Sequence, residues 1–412
     1  MPKADPHAEP VLSAADAAQP RGPLAGLRVL DFSRILAGPS CTQLLGDMGA
    51  DIIKVERPGA GDDTRSWGPP YVTGEGGMAT GESAYYLCAN RNKRSVAMDI
   101  STDQGRDLAL EIAKVSDVFI QNFKTGDMAR RGLAYADVAA VNPSIIYCSI
   151  SGFGQTGPNA DKPGYDLMAQ GYAGIMSLTG EPSGGPTKVG VGIADVMCGM
   201  YASNAILAAL HHRNAGGGGQ HIDIALVDST ISWLISEGAN YLMSGKLPVR
   251  RGNAHANVLP YGVFPCSDGH VIVAVGNDAQ FARFVDLLGA PLMAEDDRFA
   301  TNQARIINRD ALIPAIEALT ATWPKDDLRA AMDAKKVPVG PINDLAEVFA
   351  SDQVAARGMK VTVPHPASGT GTVDLIGNPI HFSATPVSYR RHPPMCGEHT
   401  EEVLRELGLW RS

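Results

Sequence analysis

The chain has 412 residues, 44% of them hydrophobic and 19% charged, a globular composition long enough for two or three domains. Lys and Arg number 35 against 44 Asp and Glu, a formal net charge of −9, so no nucleic-acid partner is expected. Six cysteines stand singly, without a Cys-x-x-Cys pair, so neither a metal site nor a disulfide scaffold is expected. The longest apolar run, Val196 to Leu210, is interrupted by Gly199, Ser203 and Asn204; it reads as too short and too polar for a bilayer span, and no membrane association is expected. The opening residues carry Asp5, Glu9 and Asp16 and no apolar core of a signal peptide, which suggests a disordered tail over 1–22 on a cytoplasmic protein.

Ordered structure is expected from Pro23. Leu27-Arg-Val-Leu-Asp-Phe32 reads as a strand, Ser40 to Met48 as a helix stopped by Gly49, and Asp51-Ile-Ile-Lys-Val-Glu56 as a second strand. Strand, helix and strand within about 30 residues predict a βαβ unit and a parallel sheet. Gly59 to Gly81 reads as one long loop. Ser95 to Ile100 is a predicted strand and Asp103 to Val115 a helix, followed by strands at Asp117–Ile120 and Ile145–Ser149. After the Gly216–Gly219 turn comes a strand, His221 to Ala225, and then one helix, Asp228 to Met243. Asp268-Gly269 between two apolar runs signals a hairpin, with helical stretches at 278–288 and 310–333 and a last amphipathic helix from Glu401 to Leu407. The fold class is therefore α/β: a doubly wound, Rossmann-like large domain beginning at 23 and running to about 225, a linker helix over 226–250, and a smaller α+β domain over 251–330.

No GxGxxG follows a strand, and GxxxxGK[ST], HExxH, an EF-hand loop and GxSxG are absent. Gly190-Val-Gly-Ile-Ala-Asp195 is the most informative segment, because a glycine-rich stretch meets a carboxylate at the start of a long apolar helix. There the free N–H groups and the helix dipole would keep Asp195 ionised at neutral pH, as a nucleophile toward an activated acyl group or as a plain helix cap. Asn90-Arg-Asn-Lys-Arg94 is a basic cluster that reads either as a phosphate site or as a solvated turn. Lys54, Arg57 and Arg65 near the end of the second strand, and Asn122-Phe-Lys124 after another, reach the strand ends where an open α/β sheet binds ligands. Tyr165 reads as a ligand-orienting side chain, Asp166 as a helix cap, His255 as an acid/base or a surface histidine, and Gly397-Glu-His-Thr400 as capping chemistry.

Leu24-Ala-Gly-Leu-Arg-Val-Leu-Asp-Phe32, Ala37-Gly-Pro39, Gly49-Ala-Asp-Ile-Ile-Lys-Val-Glu-Arg-Pro58, Gly61-Asp-Asp-Thr-Arg65, Asn92-Lys-Arg-Ser95, Gln121-Asn-Phe123, Gly152-Phe-Gly154, Val337-Pro-Val-Gly-Pro341 and Gly397-Glu-His-Thr400 occur in that order. Together they resemble the class III CoA-transferases, the formyl-CoA transferase and carnitine CoA-transferase group, from about Pro23 to Gly408. The resemblance implies that Asp195 attacks an acyl-CoA thioester, passes through a mixed anhydride and becomes an aspartyl-CoA thioester. It implies CoA contacts at Ala37, Arg57, Met98, Asn122, Phe123 and Arg130, coenzyme A as substrate with no permanently bound cofactor, and a carboxylic acid as acceptor. It also implies an interlocked homodimer in which 331–412 returns to the CoA-binding large domain.

Two departures matter. The stretch Gly252-Asn-Ala-His255-Ala-Asn257 lacks the glycine tetrad of formyl-CoA transferase, which argues against oxalate as acceptor. Related α-methylacyl-CoA racemases carry histidine where this chain has Tyr165, and a phenol is a poor acid/base at neutral pH. Transfer is therefore preferred over 2-methylacyl-CoA racemisation or epimerisation, and over CoA binding without turnover. The Gly-Asn-Ala-His and Pro-Tyr pieces resemble the dicarboxylate branch, which implies succinyl-CoA or a similar donor, with His255 and Arg250 or Arg251 on the distal carboxylate.

Overall fold

The computed structural model describes residues 22–410, so all but the last residue of the expected tail, 1–22, lies outside the described residues. Two compact units emerge. The larger is built from residues up to 175, 189–239 and 353 onward, the smaller from 176–188 and 240–352.

In the larger unit the strands are β1 (Arg28–Asp31), β2 (Asp51–Glu56), the pair β3 (Tyr71–Thr73) and β4 (Ala79–Ser83), β5 (Lys93–Ala97), β6 (Val118–Gln121), β7 (Ile146–Ser151) and β8 (Gln220–Ala225). Six of them form one wholly parallel sheet in the order β5-β2-β1-β6-β7-β8. The apolar runs Val29–Leu30 in β1, Ile52–Ile53 in β2 and Val118–Ile120 in β6 follow from cover on both faces. Val29, Ile52, Val118, Ile146 and Cys148 face helices α1 (Ala37–Asp47) and, in the same core, Ala194, Cys198, Ala202 and Ile206. Leu30, Ile53, Phe119 and Tyr147 face the opposite way, onto α2 (Asp103–Lys114). There Phe32, Phe119 and Tyr147 stack with ring centroids 4.8 and 4.7 Å apart. The strand order reverses between β1 and β6, and the carboxyl ends of strands at such a reversal form a crevice.

Two helices bring the site together: α3 (Asp166–Tyr172) and α4 (Ile193–Asn214). The 22 residues of α4 exceed the apolar run read from the sequence, and by length and composition alone they would cross a membrane. In this fold α4 is a core helix packed on α1. Gly199 permits that packing, since an added Cβ would lie 2.5 Å from the Ala37 carbonyl oxygen. Gly199→Ala is expected to cost about 1–3 kcal/mol by forcing α1 and α4 apart. Urea denaturation checks this, and an unchanged midpoint would contradict the close approach.

Several sequence expectations need correction. The 59–81 loop holds a short 3-10 turn at Asp63–Ser66 and the β3–β4 hairpin. The helix expected over 228–243 is broken into Leu226–Ile231 and Ile235–Ser244, where Ile235 takes φ +36°. The strand expected at Ser95–Ile100 starts two residues earlier, so Lys93 and Arg94 lie within β5. The basic cluster is neither solvated nor open to a ligand. Arg91 pairs with Asp47 at 2.7 Å, Arg94 with Asp51 at 2.6 Å, and Lys93 donates to the Pro39 carbonyl at 2.9 Å, all three being buried.

In the smaller unit β9 (Tyr261–Cys266) and β10 (Gly269–Ala274) form the hairpin the Asp-Gly turn announced, and β11 (Val339–Gly340) extends it. Helices Asp278–Leu287, Arg309–Thr320 and Lys325–Ala334 cover it through Phe281, Phe284, Leu312, Ile316 and Leu328. The stretch read as 310–333 is two helices because Pro324 caps the second.

Chain beyond residue 353 belongs to the larger unit. There β12 (Lys360–Pro364) and β13 (Thr372–Ile376) pair, and α5 (Thr400–Glu406) docks on the β5 edge. Thr400 Oγ1 accepts the Ala97 N–H at 2.9 Å and Ser95 Oγ accepts the Gly397 N–H at 2.8 Å, so Gly397–Thr400 ties the chain end to the sheet.

Candidate active site

Segments after β1, β6, β7 and β8 surround a cleft of about 470 Å³ in the larger unit. Arg34 to Ala37 come from the β1 end, Asn122 to Thr125 from the β6 end, Ser151 and Gly152 from the β7 end, and Leu226 from the β8 end. Tyr165, before α3, and Asp195, in the first turn of α4, complete the wall.

The β1 end is held in an unusual shape. Ile35, a β-branched residue, has φ +72°, a costly conformation that its surroundings must enforce. Asp62 accepts the Ile35 N–H at 3.2 Å, and the fully buried Lys54 donates to Asp62 and to the Ser33 carbonyl, both at 2.9 Å. Burial works to raise the Asp62 carboxyl, but Lys54 and the donors of Thr64 outweigh it and hold it at about 2. Lys54 and Arg65, read from the sequence as lying near this strand end, are both spent on buried ion pairs. Arg65 is buried between Glu56 and Glu82, at 2.8 and 2.7 Å. On the other side, Asn122 accepts the Arg34 N–H at 2.9 Å and donates to the Arg34 carbonyl at 2.7 Å, clamping the same loop to the β6 end.

Of the predicted contacts, Ala37, Asn122, Phe123, Arg130, Tyr165 and Asp195 line the one cleft. Phe123 is flanked by the guanidiniums of Arg34 and Arg131, 5.2 and 5.8 Å from its ring. Arg130 is exposed and pairs with Asp127. Arg57 and Met98 line a smaller hollow of about 40 Å³ that shares Arg34 and Phe123 with the cleft. Arg57 is largely exposed and meets Asp63, which also holds Arg34. His255 falls in the smaller unit, exposed, with Nδ1 accepting the Asn257 N–H and its ring 5.2 Å from that of Tyr261. Arg250 there donates to the Gly184 carbonyl at 2.6 Å.

The electrostatics of Asp195 differ from the sequence expectation. The N-cap of α4 is Gly192, which has no capping side chain. Asp166 supplies the cap from α3: its Oδ1 accepts the N–H of Ala194 at 2.8 Å and that of Asp195 at 3.4 Å. No described residue donates a hydrogen bond to the Asp195 carboxylate. Burial, and secondly the charge of Asp166, push the Asp195 carboxyl up to about 7. Asp195 is thus not a helix-stabilised anion, and Asp166 caps α4 rather than its own helix. Tyr85 went unnoticed in the sequence, where nothing in its spacing marks it. Its phenol is pushed up to about 12 by burial and then by the charge of Asp195, which puts it within electrostatic reach of the site.

The sequence profile of CoA-transferase family III matches residues 24–400. The chain belongs to that family. This CoA-transferase is 48% identical over 385 residues to the succinate–glutarate CoA-transferase of Agrobacterium fabrum, covering 93% of this chain and 96% of the relative. It is 40% identical over 390 residues to the human succinyl-CoA:glutarate CoA-transferase, covering 93% and 86%. Among solved structures, a CAIB/BAIF family protein from Brucella suis superposes with a TM-score of 0.83 at 46% identity, covering 94% of this chain and 100% of that one. The mixed α/β architecture with a large parallel sheet is shared with that structure.

Proposed function

We propose that this CoA-transferase moves CoA from a dicarboxylyl-CoA, of the succinyl-CoA type, to a carboxylic acid through covalent chemistry on Asp195. The observation that carries the reading is the Asp195 carboxylate, without a hydrogen-bond donor among the described residues, on the wall of a cleft at the reversal of a parallel sheet. The names of the Agrobacterium and human relatives support the dicarboxylate class.

The steps balance as follows. An Asp195 oxygen attacks the thioester carbonyl carbon; the C–S bond breaks, its electron pair leaves on sulfur, and an acyl-aspartyl anhydride forms. The CoA thiolate attacks the aspartyl carbonyl of that anhydride and releases the donor carboxylate, leaving an aspartyl-CoA thioester. The acceptor carboxylate attacks this thioester to give a second anhydride and thiolate. The thiolate then attacks the acceptor's acyl carbon, which yields the new acyl-CoA and frees Asp195. Arg57 and Arg130 suit the anionic nucleotide, Ala37, Met98 and Phe123 the apolar contacts, and Asn122 holds the Arg34 loop that walls the cleft. CoA is a substrate in this scheme, and no resident cofactor takes part.

We also propose that the polypeptide works as an interlocked homodimer with a doubly wound, Rossmann-like large domain. Ile235, Leu242, Met243 and Leu247 are 75–88% exposed, apolar surface that a partner chain would cover.

A carboxyl titrating near neutrality also suits proton transfer, which favours one second reading, racemisation of a 2-methylacyl-CoA. The two separate in one assay. With succinyl-CoA as donor, transfer to glutarate is expected at least about tenfold faster than to acetate, without deuterium exchange at the α-carbon of the acyl-CoA. Exchange of the α-proton without transfer would overturn the proposal.

A further inference from the structure

We propose that Asp166 is a positioning residue for the transfer reaction: by taking the N–H donors at the head of α4, it leaves the Asp195 carboxylate undonated, charged against a neighbouring charge, and so a stronger nucleophile. The inference rests on the reading of Asp195 as the nucleophile.

A carboxylate in the first turn of a helix ordinarily gains from the dipole and the free N–H groups, which lowers its basicity and its attacking power together. Here the donors are already taken. Asp166 Oδ1 holds the Ala194 and Asp195 N–H groups, while its Oδ2 accepts from Gln170 Nε2 at 2.6 Å. Gln170 is fully buried, and its carbonyl oxygen accepts the Val189 N–H at 2.9 Å, so the chain leading into α4 is fixed by the same pair. Asp166 has donors for both of its oxygens; among the described residues Asp195 has none for its side chain. Of two neighbouring carboxylates, one is held by donors and the other is left open to the cleft, the division of labour by which paired carboxylates take separate roles. The other charged and titratable groups bearing on Asp195 are Tyr85 and Cys198, while Tyr165, Asp127 and the cations Arg34, Lys124, Lys162 and Arg130 also line the cleft. None of these cations makes an ion pair with Asp195 among the described residues.

The test is the pH profile of kcat/KM for the donor acyl-CoA, with the acylated peptide located by mass spectrometry. In the unchanged protein the rate should rise with pH through a limb near 7 as Asp195 loses its proton. Asp166→Asn keeps an oxygen for the helix N–H groups and removes the charge. Its limb should move to lower pH by about one unit, with kcat above pH 8 reduced about tenfold and the donor KM changed less than threefold. Asp166→Glu retains the charge and should keep the limb near 7 while lowering kcat. It also serves if the Asn variant fails to fold. An Asp166→Asn limb unmoved from 7, or an Asp166→Glu limb that falls with it, would overturn the inference. A label found elsewhere than Asp195 would overturn the reading beneath it, and the two failures are distinct.

Discussion

Replacing Asp195 with Asn is expected to lower CoA transfer by at least about 1,000-fold and, above pH 7, to make the protein more stable. The first effect is loss of the attacking oxygen, since a carboxamide neither forms the anhydride nor carries CoA as a thioester. The second follows from where the carboxyl sits. In the folded protein it titrates at about 7, whereas an unfolded aspartate titrates near 3.9. The folded state therefore holds its proton more tightly. Stability contributed by this protonation is complete below pH 4 and is lost as pH rises through 7. At pH 8 the buried anion then costs on the order of 2–4 kcal/mol, a cost the neutral amide of the same shape does not carry. Thermal melts should place Asp195→Asn above the unchanged protein by a few degrees at pH 8, with the gap closing toward pH 5. A variant of equal or lower Tm at pH 8 would mean that Asp195 is not desolvated and that its basicity has another source.

The second large effect is at Lys54, which is fully buried beneath the cleft loop. Lys54 and Asp62 are both fully buried, and Asp62 carries the Ile35 N–H and both donors of Thr64. Lys54→Met leaves the Asp62 charge buried without its cation, which is expected to cost about 3–5 kcal/mol. It also strips the Ser33 carbonyl of its donor and loosens the Ile35 turn, so the KM for the acyl-CoA should rise in whatever protein still folds. The pH dependence has the opposite sign to that of Asp195. Asp62 is held at about 2, below its unfolded value, so the stability of the pair is present above pH 4 and lost as pH falls through 2. The penalty of Lys54→Met in urea denaturation should accordingly be largest near neutrality and shrink in acid, and the double variant Lys54→Met, Asp62→Leu should recover much of it. A single variant with the stability of the unchanged protein would show that the pair does not hold the cleft loop.

The elements that read correctly from the sequence were those whose local signal coincides with the tertiary outcome. Val29–Leu30, Ile52–Ile53 and Ile145–Ile146 are apolar runs that only a sheet covered on both faces would use, and Asp268-Gly269 fits one kind of turn. The cleft was legible in outline because strand ends of a parallel sheet gather there, which brings Ala37, Asn122, Phe123 and Asp195 together across more than 150 positions of sequence. What stayed hidden depends on pairing at a distance. Nothing near Arg91 or Arg94 announces Asp47, Asp51 or Glu406 as partners, so a run of five polar residues read as a surface or a phosphate site when it is a buried ion-pair cluster. Asp166 lies 28 residues before Ala194, whose N–H it accepts, and its capture of the α4 donors inverts the charge argument that spacing alone suggests for Asp195. The break at Ile235 falls where no proline or turn pair marks it, so periodicity does not anticipate it.

The central claim is that Asp195 carries CoA as a thioester, and trapping tests it most directly. The protein is incubated with succinyl-CoA, treated with borohydride or hydroxylamine, digested and analysed by mass spectrometry. The account predicts a reduced or hydroxamate side chain confined to the peptide containing Asp195, formed in proportion to enzyme and absent from Asp195→Asn. An unmodified Asp195 in protein that transfers CoA at full rate, or a label on another carboxylate, would contradict it.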